Sequence, residues 1–178
     1  MSGNGIAIEI DKIINSIERV STGEIFQTNV EVVEWPEVKL IHKKDGWNFN
    51  WKRECKLPER RLYKLVIKGH SEIQGLLSIE LKKNEQLIEM HLIENAPQNQ
   101  GKQKIYAGVA ASLVAFACKL SLDAGFDGLV VFTAKTKLVS HYKKTLGAQL
   151  IYGRQRMGIF SEAAKKLVNS CYENSEDN

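Results

Sequence analysis

At 178 residues, with 43% hydrophobic and 26% charged side chains, the chain has the size and composition of one globular domain with a sizeable core. No apolar run approaches the ~20 residues that span a bilayer, and the opening MSGNGIAIEIDK lacks the basic and apolar regions of a signal peptide, so neither a membrane anchor nor a secretory leader is expected. The net charge of +4 is uneven: ten Lys or Arg face four acids between Glu37 and Lys68, which fits either a solvated surface or an anionic partner such as RNA.

Cys55, Cys118 and Cys171 are odd in number and far apart, and the four histidines show no ligand spacing. That pattern predicts no disulfide framework, no metal, and a reducing, cytoplasmic setting. Residues 1–172 read as a single domain, and 173–178 as an acidic, disordered tail.

In chain order, Ile6, Ile10, Ile13, Ile14, Ile17 and Val20 recur at helical spacing and predict an amphipathic first helix ending at Thr22-Gly23. Residues 25–33 are rich in β-branched side chains and read as a strand. The stretch 35–58 predicts a short helix or irregular loops, with Trp35, Trp47 and Trp51 covering one side of the core. Runs at 62–68, 73–81 and 87–94, separated by Gly69-His70-Ser71 and Lys83-Asn84-Glu85, predict a three-stranded antiparallel meander.

A polar loop, 97–106, then leads through Gly108-Val109-Ala110 into a long amphipathic helix with Val109, Leu113, Phe116, Ala117 and Leu120 on its buried stripe. Leu129–Phe132 is apolar throughout, as in a strand covered on both faces. A short helix at 136–145, a hairpin about Gly153-Arg154 and a last helix from Ser161 complete the order. This order predicts an α+β fold in three α/β/α layers: a mixed, mostly antiparallel sheet with helices on both faces.

The small-residue turn into the long helix is the strongest chemical feature. Helix N-termini present unpaired N–H groups and partial positive charge, and glycine lets an anion approach them closely. Main-chain amides from Lys104 to Ala111 are therefore expected to face a diphosphate. Gly-x-Ser-x-Gly, P-loop and Rossmann patterns are absent, and no cysteine has an assigned base.

From about Leu62 to Phe160, and best from Ile88 to Tyr152, these residues resemble the GCN5-related N-acetyltransferase (GNAT) superfamily. In that family the central strand splays from the next parallel strand, and acetyl-coenzyme A lies in the cleft. The carry-over rests on Ile93-Glu94-Asn95-Ala96-Pro97 at the end of the central strand, with Asn95 where Val is usual. It rests also on Gly108-Val109-Ala110 in the phosphate loop, where Ile105 replaces the usual Arg or Gln, and on Tyr142 and Gly147 downstream. The family's Asn and Ala positions after the next strand fall on Lys135 and Leu138.

The resemblance implies an acetyl-CoA-dependent N-acetyltransferase that needs no metal and transfers directly to a primary amine of a small molecule or protein. It implies coenzyme contacts from Ile93, Asn95, Lys102, Lys104, Ile105, Tyr106, Ala107, Gly108, Val109, Ala110 and Lys135. It also implies a homodimer. Tyr142 is the expected general acid, and Glu94 or Glu89 the expected general base, with His91 a weaker candidate. Strict alternation puts Glu89, His91, Ile93 and Asn95 on one face of their strand, and Met90, Leu92 and Glu94 on the other. The departures at Ile105, Asn95 and Lys135 leave open a non-catalytic CoA-binding or protein-interaction module on the same fold.

Overall fold

A computed structural model describes residues 5–172. The predicted acidic tail lies outside the described residues. The core is a seven-stranded sheet of β3 (Thr28–Val32), β4 (Arg61–Ile67), β5 (Ile73–Lys82), β6 (Leu87–Asn95), β8 (Val130–Thr133), β10 (Arg156–Ile159) and β9 (Gln149–Tyr152), in that spatial order. Every neighbouring pair is antiparallel except β6 and β8. A second sheet joins β2 (Ile25–Phe26), β1 (Ile17–Arg19) and β7 (Tyr106–Ala107). The mixed α+β architecture read from the sequence is the architecture found.

Helix α3 (Val109–Asp123) covers one face of the sheet and packs against α5 (Ser161–Tyr172). Their apolar cluster includes Leu77, Ile79, Met90, Phe132 and, from α4 (Val139–Leu146), Tyr142. With neighbours on several sides, α3 is buried nearly all round over its first turns rather than along a single stripe. The opposite face carries α1 (Trp35–Val38), a 3₁₀ turn at Lys43–Asp45, and α2 (Trp51–Cys55), over Val33, Trp47, Trp51, Leu62 and Leu76. Trp47 and Trp51 enter this cluster as expected, but Trp35 is 41% exposed, with the Lys56 ammonium 4.8 Å from its ring centroid. Three of the basic residues between Glu37 and Lys68 are also engaged: Arg60 pairs with Glu54 and Glu80, Lys64 with Glu37, and Lys52 Nζ lies 2.7 Å from His42 Nδ1. The charge excess read there is not a massed patch, and nothing in the structure favours RNA.

Two expectations are overturned. Residues 6–20 do not form a helix. Ile6 bridges in parallel to Ala134, residues 7–14 follow without regular structure, the chain bends at a left-handed Ser16, and Ile17–Arg19 becomes β1. Isoleucine at helical spacing is also β-branched, and here Ile6, Ile10 and Ile17 reach the core without a helix. The predicted strand over 25–33 is likewise split, at Gln27, into β2 and β3, which belong to different sheets.

The second correction concerns β6. Its register against β5 shifts: Ser78 opposes Leu92 and Ile79 opposes Met90, so His91 is an extra residue in a bulge. The bulge resets the alternation. Ile88, Met90 and Ile93 share the α3 face, whereas Glu94 points to the α2 side, where the side chain of Glu89 also finds its partners.

Candidate active site

The main cleft opens where β6 and β8 part. They pair only at Ile88 with Val130 and Glu89 with Val131. Beyond that point a cavity of about 700 Å³ lies against β6 from His91 to Asn95. Its far wall is the extended segment Gly5–Glu9 with Asp11, and its rim carries Asn48, Phe49, Lys102, Lys104 and Lys135. The segment joins the end of β8 through a single parallel bridge: Ile6 N–H donates to the Thr133 carbonyl at 2.7 Å, and Lys135 N–H donates to the Ile6 carbonyl at 2.9 Å. Gly5 is required there, because a Cβ would stand 2.6 Å from Lys135 N.

The loop before α3 does not offer the row of free amides that the sequence suggests. Ile105 N–H donates to the Gln98 carbonyl and Tyr106 N–H to Asn99 Oδ1, each at 3.0 Å, and Ala107 pairs with Glu18 in β7. Gly108 N–H donates to Asp11 Oδ1 at 3.1 Å, and Lys104 Nζ to Asp11 Oδ2 at 2.8 Å. Gly108 is left-handed, with φ +94°, and a Cβ would meet the Ser16 carbonyl at 3.2 Å. Val109 and Ala110 behind it are buried. An expected diphosphate cradle therefore holds a carboxylate of the same chain. The physical cause is the path of residues 5–16, which brings Asp11 to Gly108 and the Ser16 carbonyl to Ser112 at the N-terminus of α3. The seat nonetheless suits an anion, since one occupies it.

The two carboxylates proposed as bases have different surroundings. Glu89 accepts a two-pronged bond from Arg156, one arm at 2.8 Å, and a third bond from Lys82 at 3.2 Å. Burial pulls its pKa up, but the Arg156 guanidinium and Lys82 ammonium prevail and hold it below the usual glutamate value. Glu94 is 4% exposed and accepts from Asn48 N–H at 2.6 Å, Trp51 Nε1 at 2.8 Å, Phe49 N–H at 3.3 Å and Gln100 Nε2 at 3.5 Å. It fastens the turn before α2 to the end of β6. Neither carboxylate keeps an unengaged oxygen turned to the cavity.

His91 does line the cavity, with Nε2 3.3 Å from Glu80 Oε1. Burial and the nearby Arg60 charge lower its pKa against the opposing pull of Glu89 and Glu80, so it is neutral at neutral pH. A carboxylate on Nε2 favours the proton there and leaves Nδ1 as the acceptor. Asn95 Oδ1 is buried and has no hydrogen-bond partner among the described residues.

Tyr142 is buried, and its hydroxyl donates to the Ile8 carbonyl at 2.5 Å. Burial, with the Glu9 carboxylate, pushes its pKa well above that of an ordinary phenol, so it keeps its proton. Next to it, His141 Nε2 accepts from Ile10 N–H at 2.9 Å. Among the described residues no cluster of three or more His, Cys, Asp or Glu could hold a metal ion, and no helix is long and apolar enough to cross a membrane.

The fold is similar to that of solved structures. Mutant forms of the spermidine/spermine N-acetyltransferase SpeG from Vibrio cholerae superpose with a TM-score of 0.53 at 16% identity, over 79% of this chain and 97% of that one. The spermidine N-acetyltransferase from the same organism in complex with CoA and spermine gives 0.52 at 16% identity, over 78% and 98%. The fold is that of the GNAT superfamily. No family model and no curated protein matches the chain. Within the GNAT frame the cleft between β6 and β8 is the one expected from the sequence. Asp11, the Glu80–His91 pair, Asn99 and the whole segment 5–16 were not anticipated. Glu9 and Asp11 are the two acids among isoleucines at 6, 8, 10, 13 and 14, and nothing in the local sequence marks Asp11 apart from Glu9.

Proposed function

We propose that the protein is an acetyl-CoA-dependent N-acetyltransferase acting by direct transfer to a primary amine. The observation that carries this reading is the cavity at the divergence of β6 from β8, on a GNAT fold, with main chain from His91 to Asn95 along its wall. The anion seat at Gly108 and Lys104, and the unpartnered Asn95 Oδ1, suit the polar parts of a coenzyme arm. That coenzyme supplies an activated acetyl thioester. The similar enzyme bound to CoA and spermine supports a small-molecule amine as acceptor.

The chain's own residues divide the remaining work. His91 Nδ1 takes the proton from the incoming ammonium, with Glu80 on Nε2 holding the ring and favouring the imidazolium that results. This assigns the base to His91 in place of Glu89 and Glu94, whose oxygens are already committed. Tyr142 keeps a proton for the leaving sulfur and reaches the cleft once its hydroxyl releases Ile8. Lys102, Lys104 and Lys135 at the rim attract the anionic coenzyme. Holding both substrates between the two walls supplies proximity and orientation.

The test is thiol release from acetyl-CoA against a panel of amines that includes spermine. His91→Gln should abolish the acidic limb of the pH profile of kcat/KM while leaving CoA affinity in place. A second reading, a binding module without catalysis, is favoured by Asp11 in the anion seat. CoA binding without amine-dependent thiol release selects it.

A further inference from the structure

Residues 5–16 make a set of contacts unlike those of a surface tail. Ile6 extends the sheet at β8 inside the splay. The carbonyl of Ile8 takes the Tyr142 hydroxyl, and the Ile10 amide is held by His141. Asp11 sits on the Gly108 amide and the Lys104 ammonium. The Ser16 carbonyl accepts from Ser112 Oγ in the first turn of α3. In order along the segment, these are a bridge in the groove, a cap on the phenol and an anion on the helix N-terminus. They reproduce the succession of contacts that an extended acyl donor ending in a diphosphate requires.

We propose that residues 5–16 are a built-in competitor of the acyl donor, an autoinhibitory strap whose main chain fills the β8 side of the groove and whose Asp11 carboxylate holds the place of the diphosphate. This inference rests on the acyl-donor reading of the cleft given above. Strap and donor need the same Gly108 amide and the same Lys104 charge, so their occupancies are mutually exclusive at that seat. Donor affinity is then the intrinsic affinity reduced by the fraction of molecules in which the strap is displaced. Displacement also uncovers the Tyr142 hydroxyl. A single movement therefore opens the anion seat and frees the proton donor.

The strap is anchored beyond the groove by β1, which pairs with both β2 and β7. Release at 5–16 consequently leaves 17–26 in place. Gly5 and Asp11 are the two points where a small change loosens the strap without touching β6. A methyl at Gly5 collides with the backbone of Ala134 and Lys135. Asp11→Asn removes the competing charge.

The experiment is calorimetric titration of CoA into the full-length protein, Asp11→Asn and Gly5→Ala, with amide hydrogen exchange measured with and without CoA. Both variants should bind CoA about tenfold or more tightly than the parent, a fold-change that corresponds to ~1.4 kcal/mol. CoA should accelerate exchange at the amides of Ile6, Ile10 and Lys135, which the strap protects. Equal CoA affinity in all three proteins, with those amides still protected when CoA is bound, overturns the strap and leaves the acyl-donor reading standing. Binding of CoA to none of the three, each folded by circular dichroism, overturns the acyl-donor reading and the strap with it.

Discussion

The two walls of the cleft are built in opposite ways. The β6 wall faces a cavity, and its Asn95 Oδ1 has no partner among the described residues; its rigidity comes from behind, where Glu94 ties the end of the strand to the Asn48–Trp51 turn and Glu89 is clasped by Arg156. The β8 wall is already satisfied: Thr133, Lys135, His141 and Tyr142 all bond to residues 6–10. One wall is preorganised for a ligand, and the other has accepted a piece of its own chain as one. A groove of this kind can be read for its chemistry by asking which polar groups face the cavity unpaired and which have been paired by an extension of the same chain.

The largest effect should come from undoing the support of the β6 wall. Glu94→Ala leaves the Asn48 and Phe49 amides and the Trp51 indole N–H without their acceptor in a buried site, with an expected loss of about 4 kcal/mol in urea unfolding, the sum of several orphaned donors. Retention of parental stability would show that these groups find water and that the turn is not held by Glu94. Arg156→Ala removes the two-pronged bond and leaves Glu89 with Lys82 as its charged partner, which should cost about 2 kcal/mol in the same assay.

On the other wall, Tyr142→Phe removes one hydrogen bond to Ile8, an expected loss of about 1 kcal/mol in stability. Turnover should fall, because the proton donor is gone, while CoA binds more tightly, because the strap is looser. Parallel loss of both would mean that the hydroxyl serves the fold alone.

The smallest effects are in pH dependence. The pKa of Glu89 is lowered in the folded state, so its contribution to stability is present above the unfolded value of about 4.3 and is lost as pH falls through the depressed folded value. The pKa of His91 is lowered as well. The unfolded chain therefore takes up that proton first, and stability declines as pH drops below about 6.5. Glu89→Gln should flatten the acidic slope, and His91→Gln the slope nearer neutrality, in unfolding curves collected from pH 3 to 8. A parental slope in both variants would place the titrating groups elsewhere.

Much of the fold was legible because its elements are specified locally. Alternation over 62–95, the glycine turns, and the apolar run before Thr133 each select a strand or turn by themselves. Two features were hidden for different reasons. The bulge at His91 depends on pairing with β5, 12 residues or more away in sequence, and no local pattern marks it; it moved Ile93 to the α3 face. The N-terminal segment has isoleucines at positions that satisfy a helix and an extended strand alike. The open end of β8 captures Ile6 in a bridge and the helix does not form, a tertiary choice that propensity does not encode. The position of the cleft was therefore readable, and its occupant was not.

The central claim is that this cleft transfers an acetyl group to an amine. The most direct test mixes acetyl-CoA with the full-length protein and with Asp11→Asn, and follows free thiol as each of a panel of amines, spermine among them, is added. Amine-dependent thiol release is expected, faster in Asp11→Asn than in the parent at limiting acetyl-CoA and lost in His91→Gln. Thiol release that ignores spermine and every other amine offered, in protein that binds CoA, would contradict it.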